Sequence, residues 1–191
     1  MTAGTLIRSA RKSRRLTQAS LGRRTRLTQS HLSLIEGDRQ NPSFDTVERA
    51  LRGAGHRLVA VPTLRDDAAV IGSEIRADLA FGRPERALRR FIQLNDNLVS
   101  EHGAVRFALA IAEPESTGSK QWDAAIAALV AHHLTEEHLP VPEWATHPSR
   151  FLKRSWVFGV GPYTLAPESD RVPPAFRERR VLIDEDTLRS V

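Results

Sequence analysis

Leu16-Thr17-Gln18-Ala19-Ser20-Leu21 and, seven residues on, Thr28-Gln29-Ser30-His31-Leu32-Ser33-Leu34-Ile35-Glu36-Gly37 are the stretches whose reading decides the fold. Thr17 carries a side-chain oxygen that can accept from the unpaired N–H groups of a helix start, so it reads as an N-cap. Ala19 and Leu21 are then the expected buried positions of a short helix. Thr28 caps another helix, the third along the chain, over Gln29–Glu36, which turns Leu32 and Ile35 inward at i and i+3. Gly37 ends it. Arg24–Leu27 remains as a tight connection.

Working outward, Leu6, Ile7 and Ala10 space an amphipathic helix over residues 5–13 with arginines on its outer side. Asn41-Pro42 breaks the chain, and Phe44, Val47, Ala50 and Leu51 mark a fourth helix stopped by Gly53 and Gly55. Two short helices joined by a turn of about four residues, the second with a polar outer face, make a helix-turn-helix pattern. The charge agrees with it. Residues 1–65 hold 13 Lys+Arg against 4 Asp+Glu, a net +9, whereas residues 66–191 carry a net −4. All eight charged residues before Glu36 are basic. A basic front on a mildly acidic chain points to a polyanion partner for the first third.

This stretch resembles the lambda Cro/C1-repressor type (XRE class) of helix-turn-helix domain over about residues 5–56. The resemblance is carried by Leu16-Thr17-Gln18, Leu21, Thr28-Gln29-Ser30, Leu32-Ser33, Ile35-Glu36-Gly37, Asn41-Pro42-Ser43 and Thr46-Val47. It implies a DNA-binding domain whose third helix enters the major groove. Gln29 would then pair with a base edge, with Ser30 and Ser33 reaching bases or phosphates and Leu34 touching a thymine methyl. Gln18 would hold a phosphate at the start of the second helix, with Arg39 and Asn41 as further phosphate contacts. Arg23, Arg24 and Arg26 add attraction that salt screens. Thr28 reads equally as a cap and as a DNA contact; His31 reads as a helix-surface or interface residue. Glu36 is paired by the resemblance with a first-helix arginine, here Arg11, in a structural salt bridge. Two positions depart from the pattern. Arg26 stands where the turn usually has glycine, and Gly22 where alanine is usual, a change expected to weaken the helix by about 0.5–1 kcal/mol.

His56–Pro62 reads as a short strand ended by proline. A lone strand needs a partner edge, and a second copy of the same segment supplies one, in keeping with dimers that read two half-sites of a palindromic operator; a strand of the C-terminal part is the alternative. The expected organisation is a domain over 1–62, a linker at 63–67, and a mostly helical partner-binding or dimerisation domain over 68–191. The fold class is mainly α with minor β. In the C-terminal part, Val70, Ile71, Ile75 and Leu79 mark a helix over 69–81, and Pro84 starts a helix with Leu88, Phe91, Ile92, Leu94 and Leu98 inward. Residues 104–112 are alanine-rich and apolar. Trp122, Ala125, Ile126, Leu129, Val130 and His133 stripe another helix. After Pro140 the chain is rich in proline and aromatics (Trp144, Phe151, Trp156, Phe158, Tyr163, Phe176), with a strand expected at Arg180–Ile183 and a last helical turn at Glu185–Arg189.

The chain holds no cysteine, which excludes disulfides, zinc ribbons and thiol catalysis. No apolar run approaches the roughly 18 residues of a membrane span, and the N-terminus has no apolar signal segment, so a cytoplasmic protein is expected. There is no glycine-rich phosphate loop and no GxSxG. His132-His133-Leu134-Thr135-Glu136-Glu137-His138 lacks the HExxH spacing, so no catalytic residue, metal or cofactor is expected, although His133 and Glu137 share a helix face. Trp144-Ala145, Pro148-Ser149-Arg150-Phe151, Trp156, Pro173-Pro174-Ala175-Phe176-Arg177, Arg180-Val181-Leu182-Ile183 and Leu188 resemble the C-terminal region of actinobacterial antitoxins paired with AbiEii-type nucleotidyltransferase toxins. That resemblance implies an autoregulating repressor that also counteracts a toxin, with Trp144, Phe151, Trp156 and Phe176 as partner contacts. The competing readings are a stand-alone regulator whose C-terminal domain senses a small molecule and, more remotely, a metal-dependent hydrolase with a DNA-targeting head.

Overall fold

Four helices of the first third each begin on a hydroxyl. A computed structural model describes residues 2–159, 161 and 165–189. Thr2, Thr17, Thr28 and Ser43 accept from the backbone N–H three residues on, which starts α1 (Ala3–Ser13), α2 (Gln18–Thr25), α3 (Gln29–Glu36) and α4 (Phe44–Gly53). Each cap is worth about 1 kcal/mol, which matters for eight-residue helices that are marginal on their own. Ile7, Leu21, Leu32, Ile35 and Ala50 are fully buried where the four helices meet. Residues 1–62 form one compact unit and 63–191 a second.

Three expectations for the first unit are corrected. Ala19 is exposed, and the buried residues of α2 are Leu21, Gly22 and Thr25. Ala19 lies two residues before Leu21, about 200° around the helix, and cannot share its face. Phe44 is 66% exposed because it opens the first turn of α4, beyond the core that Val47, Ala50 and Leu51 fill. The strand expected at His56–Pro62 is not formed in the single chain; among the described residues the strand pairing lies in residues 156–182. Backbone pairing needs a partner edge, and this segment has none among the described residues of its own chain.

The second unit is built around α8 (Lys120–Glu136). Residues 122–131 are buried, as are His133 and Leu134. The expected single stripe is therefore replaced by a helix apolar on all sides, as a central helix must be. Around it stand α5 (Ala68–Ala80), α6 (Pro84–Ser100), α7 (Gly103–Ile111), α9 (Glu143–Thr146) and α10 (Pro174–Glu178). Pro84 opens α6. The expected strand at Arg180–Ile183 is present as β2 (Val181–Leu182), parallel to β1 (Trp156–Val157), with Trp156 opposite Val181. Phe91, Trp122, Trp156 and Phe158 interlock beside it, with centroid separations of 4.6–6.3 Å.

Three buried arginines staple the loops to this core. Arg106 donates to the carbonyls of Glu101 (2.7 Å) and His133 (3.3 Å), Arg150 to Pro114 (3.2 Å), and Arg179 to Ala145 (2.7 Å) and Ala175 (2.9 Å). Burial lowers the His133 imidazole to about 3, helped by the charges of His132 and Arg106, so it is neutral. Among the described residues no helix is long and apolar enough to cross a membrane.

Candidate nucleic-acid interface

The turn between α2 and α3 sets the angle at which α3 is presented. Arg26 takes the left-handed conformation there (φ 57°, ψ 29°), the region a glycine would fill without strain. The Leu27 N–H then donates to the Gly22 carbonyl at 3.1 Å. Gly22 is a requirement of this turn rather than a weakness in α2. A Cβ at position 22 would stand 2.5 Å from the Leu27 carbonyl oxygen, closer than van der Waals contact permits.

A chain of side chains then connects the core to the outer face of α3. Glu36, at the buried end of α3, accepts a two-pronged contact from Arg11 of α1: Nε to Oε1 and Nη2 to Oε2, both 2.7 Å. Arg11 also donates to the Leu16 carbonyl at 2.7 Å, and Arg8 to the Glu36 carbonyl. Gln18 donates from Nε2 to Glu36 Oε2 at 3.0 Å, and its Oε1 accepts from Gln29 Nε2 at 3.3 Å. Burial alone would raise the Glu36 carboxyl. The bonds from Arg11 and Gln18 and the charges of Arg11 and Arg8 outweigh it and hold the group below the ordinary carboxylate range.

Gln18, expected to hold a phosphate, thus has both ends of its carboxamide engaged inside the protein. Its link to Gln29 was not read from the sequence; the only trace there is a glutamine at the first position of two successive helices. Gln29 Nε2 spends one hydrogen on Gln18 and keeps the second, along with Oε1, for an outside partner. Thr28, Gln29, Ser30 and Leu34 are exposed, Ser33 and His31 half-buried, and Thr28 Oγ1 accepts from the His31 N–H at 3.1 Å. The structure therefore brings Gln18, Thr28, Gln29, Ser30, Ser33 and Leu34 onto or beside one helix. Arg39 and Asn41 lie exposed in the loop after it. Arg23, Arg24 and Arg26 are exposed on α2 and its turn, with Arg23 Nη2 on Ser20 Oγ (3.3 Å) and Arg24 Nη1 on the Gly53 carbonyl (3.4 Å).

Residues 3–61 match the family model for a helix-turn-helix domain. The chain is also similar to the immunity repressor protein of Bacillus phage phi105, 32% identical over 102 residues that cover 51% of this chain and 69% of the relative. The chain belongs to the helix-turn-helix family. No solved structure matches it significantly.

In the second unit of this helix-turn-helix protein, the four aromatic residues expected to meet a partner do not share a surface. Trp144 and Phe176 are core side chains, the indole N–H of Trp144 donating to the Ala110 carbonyl at 3.1 Å. Trp156 is half-buried in the aromatic cluster. Phe151 is 37% exposed, with the Arg179 guanidinium 4.7 Å from its ring centre. Tyr163 lies outside the described residues.

Proposed function

We propose that this protein is a sequence-specific DNA-binding transcriptional repressor that lays α3 in the major groove. The observation carrying this reading is the braced Gln29. A glutamine reads adenine by donating to N7 while accepting from N6, and Gln29 retains the one donor and one acceptor which that requires. Ser30, Ser33 and Leu34 extend the reading face. Arg23, Arg24, Arg26, Arg39 and Asn41 supply the phosphate and long-range contacts, and the first-turn N–H groups of α2 add a helix N-terminus. A repressor acts by occupying its site, so no catalytic group is required. Such a protein works where the DNA is, in the cytoplasm of a bacterial cell.

The working form in this reading is a homodimer on a palindromic operator. Leu58 and Val59 are 42% and 75% exposed in a β-prone segment that has no strand partner among the described residues. Pairing with the same segment of a second copy would cover them and set two recognition helices about one DNA turn apart. The toxin-counteracting role rests on the resemblance of residues 144–188 and is carried forward as the second half of the proposal.

Selection of tight binders from a random duplex pool, followed by titration of labelled DNA, tests the proposal. The selected sites should contain inverted half-sites. Gln29→Ala should lose about 1–3 kcal/mol on the selected site and almost nothing on random DNA, while Arg23→Ala should weaken both alike and flatten the salt dependence. Normal operator binding by Gln29→Ala would place the reading face elsewhere. Co-expression with the neighbouring gene's product tests the second half. A stoichiometric complex supports it, and a clean homodimer refutes it.

A further inference from the structure

We propose that the C-terminal end of α8 is a divalent metal site of the zinc type, formed by His132, His133 and Glu136. Donor atoms from these three side chains lie within 4.8 Å of one another. The decisive geometry is at His133. Asn95, itself 1% exposed, donates from Nδ2 to the Leu188 carbonyl at 2.9 Å, which fixes its amide so that Oδ1 faces His133 Nε2, also at 2.9 Å. An oxygen acceptor there obliges His133 Nε2 to carry the hydrogen. Nδ1 of the neutral ring is then a bare lone pair, and it faces Glu136 Oε2 at 3.5 Å, acceptor against acceptor. His132 Nε2 stands 3.5 Å from the other carboxylate oxygen.

Two acceptors face to face repel, and a cation between them turns the contact into an attraction. In a tetrahedral zinc site with bonds of about 2.0–2.2 Å, neighbouring ligand atoms are about 3.3–3.6 Å apart. Each imidazole nitrogen stands 3.5 Å from one Glu136 oxygen, and the three side chains need draw in only from a 4.8 Å spread to reach that spacing. The buried bond that the ring N–H away from the metal donates to Asn95 Oδ1 is how metal-binding histidines are oriented. Arg106, whose charge acts on His133, is paired with Glu137 at 3.1 Å. His132, His133 and Glu136 line a cleft of about 870 Å³ whose walls carry Asp170 and Glu185 together with Arg106, Arg177 and Arg189, so the fourth position opens to water or an external ligand. Two imidazoles and one carboxylate favour zinc or a similar borderline ion over magnesium or calcium. Such a site departs from the sequence expectation that the chain binds no metal, and it is independent of DNA binding.

The test is titration of the untagged, chelator-treated full-length chain with ZnCl2 by calorimetry, and with CoCl2 by visible absorption. One zinc per chain should bind, and cobalt should develop the visible bands of a four-coordinate ion. His132→Ala and Glu136→Gln, both at positions that are not fully buried, should each weaken zinc at least 30-fold while circular dichroism stays unchanged. His133→Ala should abolish binding. Absent binding at micromolar zinc overturns the proposal. So does stoichiometric binding that survives both His132→Ala and Glu136→Gln, since the ligands would then be other residues.

Discussion

Replacing Glu36 by glutamine keeps the side chain's size and removes one charge, so it isolates what the Arg11–Glu36 pair contributes. The side chains of Arg11 and Glu36 are 14% and 3% exposed, and their two contacts are both 2.7 Å. Removing one partner of a buried pair strands the other, which costs about 3–5 kcal/mol. Glutamine still offers one acceptor, so the expected loss is about 2–4 kcal/mol. A unit of about 60 residues has only about 3–9 kcal/mol in total, so the variant should lose a large part of its stability. The assay contains its own control. All three tryptophans (Trp122, Trp144, Trp156) and the one tyrosine belong to the second unit. In urea, Glu36→Gln should move the first helical transition seen by far-ultraviolet circular dichroism to lower denaturant and leave the tryptophan fluorescence transition in place. Acidification should lower the first transition of the wild type through Glu36, and it should lower the fluorescence transition as well, because unfolding lets the buried neutral His133 of the second unit take up a proton. The folded Glu36 carboxyl ionises below its ordinary range, so its stabilisation is complete at neutral pH and is lost as pH falls through the folded value. For Glu36→Gln, a shift of less than about 1 kcal/mol, or equal movement of both transitions, would refute the reasoning.

Gly22→Ala should destabilise the same unit by about 1–3 kcal/mol despite alanine's better helix propensity, because its Cβ meets the Leu27 carbonyl at 2.5 Å; the dichroism transition reads this directly. Arg26→Gly should do the reverse, relieving a left-handed arginine for a net gain of about 0.5–1 kcal/mol, while lowering the salt slope of DNA binding by about one. Gln18→Ala should cut discrimination between the selected site and its adenine-substituted variants, since Gln29 loses its brace, and should cost about 1 kcal/mol of folding stability in denaturant titration.

The helix-turn-helix fold could be read because local chemistry dictates it. Threonine caps, the Gly37 stop and the inward pair Leu32 and Ile35 act within a few residues of themselves. Position within an element is less legible, as Ala19 on the outer side of α2 and Phe44 beyond the end of the core show. The strand at His56–Pro62 was read from composition, but pairing is set by a partner edge that composition does not specify. In the second unit, helix positions and β2 were legible. The staples from Arg106, Arg150 and Arg179 were not, because each joins residues distant in sequence through a backbone carbonyl, which any residue provides. The same holds for the candidate site. Exposed residues of α3 followed from the pattern. The Gln18–Gln29 link and the Asn95–His133 orientation depend on atom positions that spacing alone leaves open.

The most direct test of the central claim uses the absence of cysteine from the chain. A Ser30→Cys variant carries one unique thiol on the outer face of α3, to which a DNA-cleaving iron chelate can be attached. Bound to a selected duplex, the conjugate should cut at two narrow positions about one helical turn apart, one in each half-site. Diffuse cutting, or cutting away from the bases on which Gln29 acts, would contradict the placement of α3 in the major groove.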